Sequence, residues 1–372
     1  MTASPAPLRL GVLGLGSVFS GPYSSLIQQL KLEGKVELTA VYDVEPTKTS
    51  AVAALHPHVA TPSRPDELIA RDDVDVVLVL TSMNEHGPLA TMARAAGKHV
   101  LVEKPMATSV READELLAVD AQHDGLLVCA PHVVLSPTFR AIHGAVHRGE
   151  IGRLVLARAR YGWAGPWWGD WFYRAGGGAL FDLGVYNVTT LCGLFGPVRR
   201  VAAMVGTAIP KRMSEGRVID NSSDDNAHVL LDFGDQRFAN VMTGFTIQKY
   251  RSPAVELYGT DGVLQMLGDD WAPEGFEQWR NDRELWEVHP EREPTWPWTS
   301  GLRHLVDCVA SGQPTISRPE HARHALEVML AAQRSAVEGR FVDIESDFPG
   351  LRYPDLAIGD AHDRRKHDPR TS

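Results

Sequence analysis

The chain has 372 residues, which at roughly 100–200 residues per domain predicts two domains. Hydrophobic residues make up 44% and charged residues 23%, so a wholly disordered, collagen-like or coiled-coil protein is excluded. The 37 Lys and Arg against 47 Asp and Glu give a net charge of −10, which argues against nucleic acid as a partner.

The sequence contains no run approaching the roughly 18 apolar residues that a membrane-spanning helix needs. The N-terminus has no basic stretch ahead of an apolar core, so we expect a cytoplasmic protein with no membrane partner. The three cysteines, Cys129, Cys192 and Cys308, are far apart and lack C-x-x-C spacing, which predicts buried thiols in a reducing compartment.

From Leu8 to Val128, short apolar runs alternate with helix-like stretches. The predicted strands are Leu8–Leu13, Val36–Tyr42, Val74–Leu80, His99–Val102 and Leu126–Cys129. The predicted helices are Tyr23–Leu32, Thr47–Leu55, Pro65–Ala70, Gly87–Ala96 and Val110–His123. Strands that are apolar on both faces and separated by helices predict an α/β fold with a parallel, doubly wound Rossmann sheet.

After Pro131 the strand candidates become longer and half polar. They are Leu154–Gly162, Val198–Gly206, Ala227–Phe233, Arg237–Ile247 and Ala254–Tyr258. Helices are predicted at Ser136–Arg148, Ala179–Phe195, Gly301–Ala310 and Pro319–Glu338. This pattern predicts an α+β domain with a large, mostly antiparallel open sheet. We therefore expect one domain over residues 1–130, a second over 131–350, and a charged, partly disordered tail over 351–372.

The first predicted strand runs directly into the segment Gly14-Leu15-Gly16-Ser17-Val18, ahead of a helix. Gly14 permits a tight turn and Gly16 permits close approach of a pyrophosphate at the helix N-terminus, where Ser17 and Val18 also lie. Asp43 closes the second apolar run, where a dinucleotide site needs an acid for the adenosine ribose. A carboxylate there repels a 2′-phosphate and no arginine follows, so NAD is favoured over NADP. An ordinary turn and a helix-capping aspartate remain alternatives for these residues.

The sequence AGKHVLVEKP occupies residues 96–105, directly after a helix and through a predicted strand. With the upstream Gly-x-Gly and Asp43, it resembles the Gfo/Idh/MocA oxidoreductases, and the resemblance extends over residues 8 to 345. It implies that Lys104 lies beside the nicotinamide and hydrogen-bonds the reacting hydroxyl, and that Glu103 lies on the cofactor side of the pocket. A solvated lysine at a strand end is the alternative.

Residues 81–86, TSMNEH, stand in place of the family's T-P-N-x-x-H segment. Thr81 and His86 match that pattern, and the resemblance implies that both contact the cofactor. His86 is equally well explained as a packing histidine at the start of a helix.

The segment GGGALFDLGVY over residues 176–186 opens a predicted helix. Asp182 and Tyr186 are four residues apart, which places them on a common helix face, and the triple glycine would let a substrate approach the backbone. The segment resembles the family's G-G-G-x-x-x-D-x-G-x-H, with tyrosine in place of histidine. This tyrosine-bearing pattern is similar to the glucose–fructose oxidoreductase and dimeric dihydrodiol dehydrogenase branches.

A tyrosine changes the proton chemistry, because free Tyr titrates near 10 and His near 6.5. Tyr186 could act as a base only if a cation lowered its pKa, and Lys104 is the candidate cation. Asp182 would then hold a substrate hydroxyl or orient Lys104. A core tyrosine and an N-terminal helix acid are the structural alternatives for these two residues.

Four of the nine tryptophans fall in the segment YGWAGPWWGDW over residues 161–171. Pyranose rings stack on aromatic planes, so Trp163 and Trp168 are candidate substrate contacts, although some of these indoles must belong to a core or interface. His132, which follows the strand ending at Cys129, is a further candidate substrate contact.

Together these motifs predict an NAD-dependent dehydrogenase or reductase acting on CH–OH groups. It would transfer hydride between the nicotinamide and a secondary alcohol or ketone of a sugar, inositol or related cyclic polyol, and it needs no metal. Two alternatives remain open: an enzyme with tightly bound, recycled NAD, such as a sugar–sugar oxidoreductase or glycosidase, and a non-catalytic regulatory protein that binds NAD and sugar. The resemblance also implies a homodimer or homotetramer.

Overall fold

The computed structural model describes residues 6–251 and 253–354, so most of the predicted tail lies outside the described residues. Two large sheets organise the chain. The first has five strands, all parallel, in the order β2-β1-β3-β4-β5. Its strands are β1 (Leu8–Leu13), β2 (Val36–Tyr42), β3 (Val76–Val79), β4 (His99–Val102) and β5 (Leu127–Cys129). The predicted Rossmann sheet is confirmed.

Five helices connect these strands. They are α1 (Ser24–Leu32), α2 (Pro46–Leu55), α3 (Pro65–Ile69), α4 (Met83–Ala95) and α5 (Val110–Asp120). Helix α4 starts four residues before the predicted Gly87, because Ser82 takes the N-cap position and Pro88 lies inside the helix. A π-helical turn over Phe19–Tyr23 precedes α1 and contains Pro22, which has no backbone N–H to donate.

The second sheet has nine strands in the order β15-β14-β13-β12-β6-β11-β10-β7-β16. All neighbouring pairs are antiparallel except β6 and β11. The strands are β6 (Leu154–Gly162), β7 (Arg200–Gly206), β10 (Asn226–Asp232), β11 (Phe238–Gly244), β12 (Val255–Gly259), β13 (Gly262–Asp269), β14 (Ala272–Arg280), β15 (Leu285–Pro290) and β16 (Val342–Asp343). A separate hairpin joins β8 (Lys211–Ser214) to β9 (Arg217–Asp220). The predicted mostly antiparallel sheet is confirmed.

The sequence analysis missed strands β13 to β15. Gly268 and Gly275 both have positive φ angles, and the β13–β14 register shifts near the first of them. Glycines and aspartates at this turn hide the alternating pattern that marks a strand.

Four further α-helices lie within the described residues: α6 (Pro137–His147), α7 (Val185–Phe195), α8 (Gly301–Ser311) and α9 (Pro319–Glu338). Helix α9 packs on α7, on β7 and on β5. Helix α8 returns to the first sheet, where Leu302, Leu305 and Val306 join the core around β1 and α1. Arg303 on α8 also forms an ion pair with Glu33 beside α1, with the charged atoms 2.6 Å apart. The division at residue 130 stays a prediction, and the two sheets are joined by a continuous core.

Candidate active site

The candidate site lies at the carboxyl ends of β1, β3 and β4, where the segments at Gly14, Thr81 and Glu103 follow their strands. Parallel strands end at one edge of the sheet, so residues distant in sequence meet there. Gly14 has φ +94°, and a Cβ there would lie 2.6 Å from the Leu80 carbonyl oxygen. Glycine is therefore required at position 14 by the backbone turn itself.

The residues around this turn fit an NAD molecule. Gly16 has no neighbouring atom within 4 Å of the position that a Cβ would take, so the backbone is open to a pyrophosphate at the helix that begins with Ser17. Asp43 accepts a hydrogen bond of 2.7 Å from the Leu15 backbone N–H, which places its carboxylate beside the glycine turn. Lys48 lies 3.8 Å from the other carboxylate oxygen. The carboxylate keeps lone pairs for ribose hydroxyls.

His86 connects the two loops that follow β3 and β4. Its Nδ1 lies 2.7 Å from the Pro105 carbonyl oxygen, and its Nε2 lies 3.0 Å from the Thr81 carbonyl oxygen. Both ring nitrogens thus face the backbone, and burial lowers the pKa of His86. The geometry matches the packing alternative, because neither nitrogen is left to bind the cofactor directly.

Lys104 forms the central contact of the site. Its Nζ lies 2.6 Å from a carboxylate oxygen of Asp182 and 2.8 Å from the Asp182 backbone oxygen. The two side chains are only 13% and 12% exposed, so solvent screens the pair weakly. The predicted role of Asp182 in orienting Lys104 agrees with this geometry.

Tyr186 lies next to this pair, with Lys104 Nζ 5.2 Å from the centroid of its ring. Burial raises the pKa of Tyr186 well above its usual range, and the charges of Glu103, Asp182 and Asp270 raise it further. The expectation that Lys104 lowers the pKa of Tyr186 is therefore wrong. The lysine charge is balanced by Asp182, and a buried phenolate would face other carboxylates.

The turn that carries Asp182 is a π-helical turn over Leu180–Gly184, which continues into α7. A Cβ at Gly177 would collide with backbone oxygens, and one at Gly178, which has φ +107°, would collide with the Asp224 carboxylate. The glycines are thus needed for contacts within the protein. The expectation that they let a substrate approach the backbone stays a prediction.

Asp224 holds this π-helical turn. Its carboxylate accepts a 2.8 Å hydrogen bond from the Leu180 backbone N–H and a 3.3 Å bond from the Gln333 side chain. Burial raises the pKa of Asp224 to about 6. Nothing in the local sequence distinguishes this aspartate from the adjacent Asp225.

Glu103 is buried and accepts a 2.9 Å hydrogen bond from the Tyr23 hydroxyl, a partner that the sequence analysis missed. Burial raises the pKa of Tyr23 well above its usual range, and Glu103 raises it further. The ring of Tyr23 in turn meets Trp298 edge-on, with centroids 6.1 Å apart. Residues 298–306 therefore pack against the helical segment that follows the glycine turn.

His132 is buried, with both ring nitrogens lacking a hydrogen-bond partner among the described residues. Burial lowers its pKa to about 3, so the ring is neutral at physiological pH. The ring packs against Gly301 at the start of α8, where no side chain would fit. Its predicted contact with substrate stays a prediction.

The predicted aromatic contacts lie at the end of β6. Trp163 and Trp168 stack on each other with centroids 5.5 Å apart, and Trp168 is half exposed. Tyr161 meets Tyr186 edge-on at 5.7 Å, which connects this aromatic segment to the Lys104 cluster. Tyr161 was not singled out in the sequence, although it begins the tryptophan-rich segment.

A cavity of about 530 Å³ opens beyond Tyr161. Trp163, Tyr250, Asp269 and Trp271 line it. Between the lining residues Asp269 and Trp271 lies Asp270, which accepts a 2.5 Å hydrogen bond from the Asn187 side chain in a buried pair that the sequence analysis also missed. Burial raises the pKa of Asp270 well above its usual range.

Two family models match the chain. Residues 8–130 match "Oxidoreductase family, NAD-binding Rossmann fold", and residues 139–265 match the "GFO/IDH/MocA C-terminal domain". Within the described ranges, no helix is long and apolar enough to cross a membrane.

Among curated proteins, trans-1,2-dihydrobenzene-1,2-diol dehydrogenase of Macaca fascicularis is 29% identical over 272 residues, covering 72% of this chain and 76% of its own. The Homo sapiens protein of that name is 28% identical over 269 residues, with the same coverage of both chains. Among solved structures, GenD2 from gentamicin A biosynthesis, in complex with NAD, has a TM-score of 0.76 at 27% identity, covering 93% of this chain and 98% of its own. Levoglucosan dehydrogenase, with NADH and levoglucosan, has a TM-score of 0.80 at 20% identity, covering 91% of this chain and 100% of its own, and shows the shared fold.

Proposed function

The chain belongs to the GFO/IDH/MocA family of NAD-binding oxidoreductases, and we propose that it transfers hydride between NAD and a secondary alcohol or ketone on a sugar or related cyclic polyol. Lys104, Tyr186 and Asp182 are the proposed catalytic residues. Gly14, Gly16, Ser17, Val18, Asp43, Thr81 and Glu103 are proposed to bind or border the cofactor.

The observation that carries this proposal is the hydrogen bonding of Lys104. An ammonium group has three N–H donors, and two are directed at the Asp182 carboxylate and backbone oxygen. One N–H remains for a ligand. The Tyr186 hydroxyl, which has no hydrogen-bond partner within the described chain, lies on the same cluster and offers a second donor.

These donors suit an alcohol–ketone interconversion. Bound NAD supplies the hydride acceptor, or in the reduced form the donor, at the reacting carbon. Lys104 and Tyr186 donate hydrogen bonds to the oxygen on that carbon. In ketone reduction the Lys104 ammonium gives its third proton to that oxygen, and the amine that is left keeps its two hydrogen bonds to Asp182. Alcohol oxidation is the reverse step, in which the amine takes up the hydroxyl proton and Asp182 stabilises the ammonium that forms.

The proposed substrate class rests on two further observations. The aromatic side chains that follow β6 match the apolar faces of sugar rings, and Trp163 and Trp168 are proposed to contact them. The curated relatives are named for a cyclic vicinal diol, so a ring bearing neighbouring hydroxyls fits the same chemistry.

A substrate panel tests the proposal. Purified protein is mixed with NAD and a series of aldoses, inositols, anhydrosugars and cyclic diols, and NADH absorbance is followed. We expect NADH to accumulate with at least one sugar or polyol. Co-purified cofactor that cycles without net NADH would favour a sugar–sugar oxidoreductase, and tight NAD binding without turnover of any member would contradict the proposal.

We also propose that the chain forms a homodimer or homotetramer through the open face of the second sheet. Leu156, Phe238, Leu230 and Met204 project from one face of neighbouring strands and are 45–80% exposed. An apolar sheet face of this kind is usually covered. Light scattering of the purified protein gives the mass directly, and a monomer at micromolar concentration would contradict this proposal.

A further inference from the structure

The cavity beyond Tyr161, here called the aromatic pocket, is lined by Tyr161, Trp163, Tyr250 and Trp271. It adjoins the proposed active site, because Tyr161 lines the pocket and also packs edge-on against Tyr186. The Tyr161 and Tyr186 ring centroids are 5.7 Å apart, and the Trp271 centroid lies 6.5 Å from that of Tyr161. The pocket is therefore one aromatic ring away from the Lys104 cluster, a distance that a second ring joined to a bound sugar can span.

The pocket begins at Trp163, a proposed contact of the reacting ring, and extends into space beyond that ring. Its volume of about 530 Å³ falls in the range of roughly 300–1,000 Å³ that encloses drug-sized ligands. Lys104, Asp182 and Tyr186 are not part of its lining. A sugar ring placed against those three groups would thus leave the pocket open for a second ring.

The polar groups of the pocket indicate the charge of that ring. Lys249 and Arg251 are exposed on the pocket rim, and neither forms an ion pair within the part of the chain described here. Asp269 accepts a hydrogen bond from the Tyr250 hydroxyl, which is neutral and does not cancel the carboxylate charge. Two cations and one carboxylate leave the described pocket lining with one net positive charge, which favours an anionic ligand.

Trp271 lines the pocket and is partly exposed, while its indole N–H is shielded from solvent. The part of this side chain that reaches the pocket is therefore carbon surface of the ring, which suits stacking on a second ring.

We propose that the substrate is a glycoside, and that the aromatic pocket binds the second ring attached to the oxidised sugar, with preference for a ring that carries a carboxylate. The proposal rests on the sugar oxidoreductase function above. It adds that a sugar without the second ring is a poorer substrate.

Matched glycosides of one sugar test this proposal. For the sugar most active in the panel, we compare kcat/KM of the methyl, 4-nitrophenyl, 4-carboxyphenyl and 4-(trimethylammonio)phenyl glycosides. We expect the 4-carboxyphenyl glycoside to exceed the methyl glycoside by about tenfold or more, the size of one well-stacked aromatic contact. The 4-carboxyphenyl glycoside should also exceed the trimethylammonio compound.

Two variants locate the effect. Trp271→Ala should lower the ratio of kcat/KM for the 4-carboxyphenyl glycoside to kcat/KM for the methyl glycoside about tenfold. It should leave kcat/KM for the methyl glycoside within about threefold of wild type. The control, Trp286→Ala, changes a half-exposed tryptophan on β15 outside the pocket lining. The double variant Lys249→Gln/Arg251→Gln should abolish the preference for the carboxylate over the trimethylammonio group without altering the fold. The control double variant Lys211→Gln/Arg292→Gln should keep that preference.

The outcomes separate this inference from the proposed function. Turnover of the methyl and aryl glycosides at equal kcat/KM, or an equal loss for both in Trp271→Ala, overturns the pocket assignment and leaves the oxidoreductase function standing. If Trp271→Ala does not fold, unchanged charge preference in the Lys249/Arg251 double variant overturns it. Absence of any sugar or polyol turnover contradicts the proposed function itself.

Discussion

At the residue scale, three side chains are proposed to determine the chemistry. Lys104 is fixed by two hydrogen bonds to Asp182, and its Nζ lies over the ring of Tyr186. The pKa of the Tyr186 phenol is raised by burial. Because that phenol keeps its proton well above neutral pH, it acts as a hydrogen-bond donor. In the proposed mechanism the proton transfer then belongs to Lys104, and this distinguishes the site from one built on a tyrosinate base.

The variant Tyr186→Phe tests that distinction. Loss of one hydrogen bond to the reacting oxygen should lower kcat/KM about 10- to 100-fold and leave the shape of its pH profile between 6 and 10 unchanged, because the phenol does not ionise there. The measurement is kcat/KM against pH for wild type and variant. Complete loss of activity together with loss of an ionisation from the profile would identify Tyr186 as the base and contradict this account.

The sequence was sufficient to propose Lys104, Asp182 and Tyr186 as one site, because two short motifs carry them. It was not sufficient to predict the direction of the pKa shift at Tyr186. That direction depends first on burial, which the sequence does not show, then on Glu103 and Asp182, and last on Asp270, which lies between β13 and β14 and has no motif of its own. The partnership of Tyr23 with Glu103 was likewise hidden by their separation in the chain.

At the scale of elements, the π-helical turn before α7 determines where Asp182 points. An α-helix from Ala179 was predicted, and the residues are indeed helical, but the first turn is wider and is anchored by Asp224 from the segment before β10. Such an anchor could not be predicted, because its partner is a backbone N–H in another part of the chain. Strands β13 to β15 were missed for a related reason, since their glycines interrupt the alternation.

Asp224→Asn should change the pH dependence of stability. With a pKa raised to about 6, the native carboxyl holds a proton between pH 4 and 6 while the unfolded one has lost it, so its contribution to stability falls as pH rises through that window. The melting temperature of wild type minus that of Asp224→Asn should therefore decrease from pH 4 to pH 7. A difference that stays constant over this range would contradict the buried, proton-binding carboxyl. The Asn side chain keeps an oxygen that can accept the hydrogen bond from the Leu180 N–H, so the variant removes only the ionisable group.

At the scale of the whole molecule, two sheets share one core and α8 returns from the second half to the first. The order of strands in the parallel sheet could be predicted, since alternating apolar strands and helices admit few arrangements. The position of α8 could not, because an amphipathic helix carries no sign of which sheet covers its apolar face.

The buried histidines should make the protein sensitive to acid. Burial lowers the pKa of His132, His143 and His321 to about 3, and that of His304 and His324 to about 4. Between roughly pH 4 and 6.5 the unfolded chain binds protons that the native state excludes, so stability falls as pH is lowered through this range.

We therefore expect the melting temperature to fall by several degrees between pH 7 and pH 5. His321→Leu, which replaces a ring stacked on Phe348, should reduce this fall, whereas His58→Leu at an exposed position should leave it unchanged. Equal acid sensitivity in all three proteins would show that His321 is not excluded from protonation.

The most direct test of the account is the rate of hydride transfer in Lys104→Met. In a single turnover with the most active substrate of the panel, reduction of NAD is followed by NADH absorbance, and NADH affinity is measured separately by fluorescence. We predict an affinity within about twofold of wild type and a hydride-transfer rate lower by about 10²- to 10⁴-fold, as expected for removal of the group that moves the proton. Lys211→Met, at an exposed position, should match wild type in both measurements. A rate within threefold of wild type in Lys104→Met would contradict the central claim that Lys104, held by Asp182, handles the proton of the reacting hydroxyl.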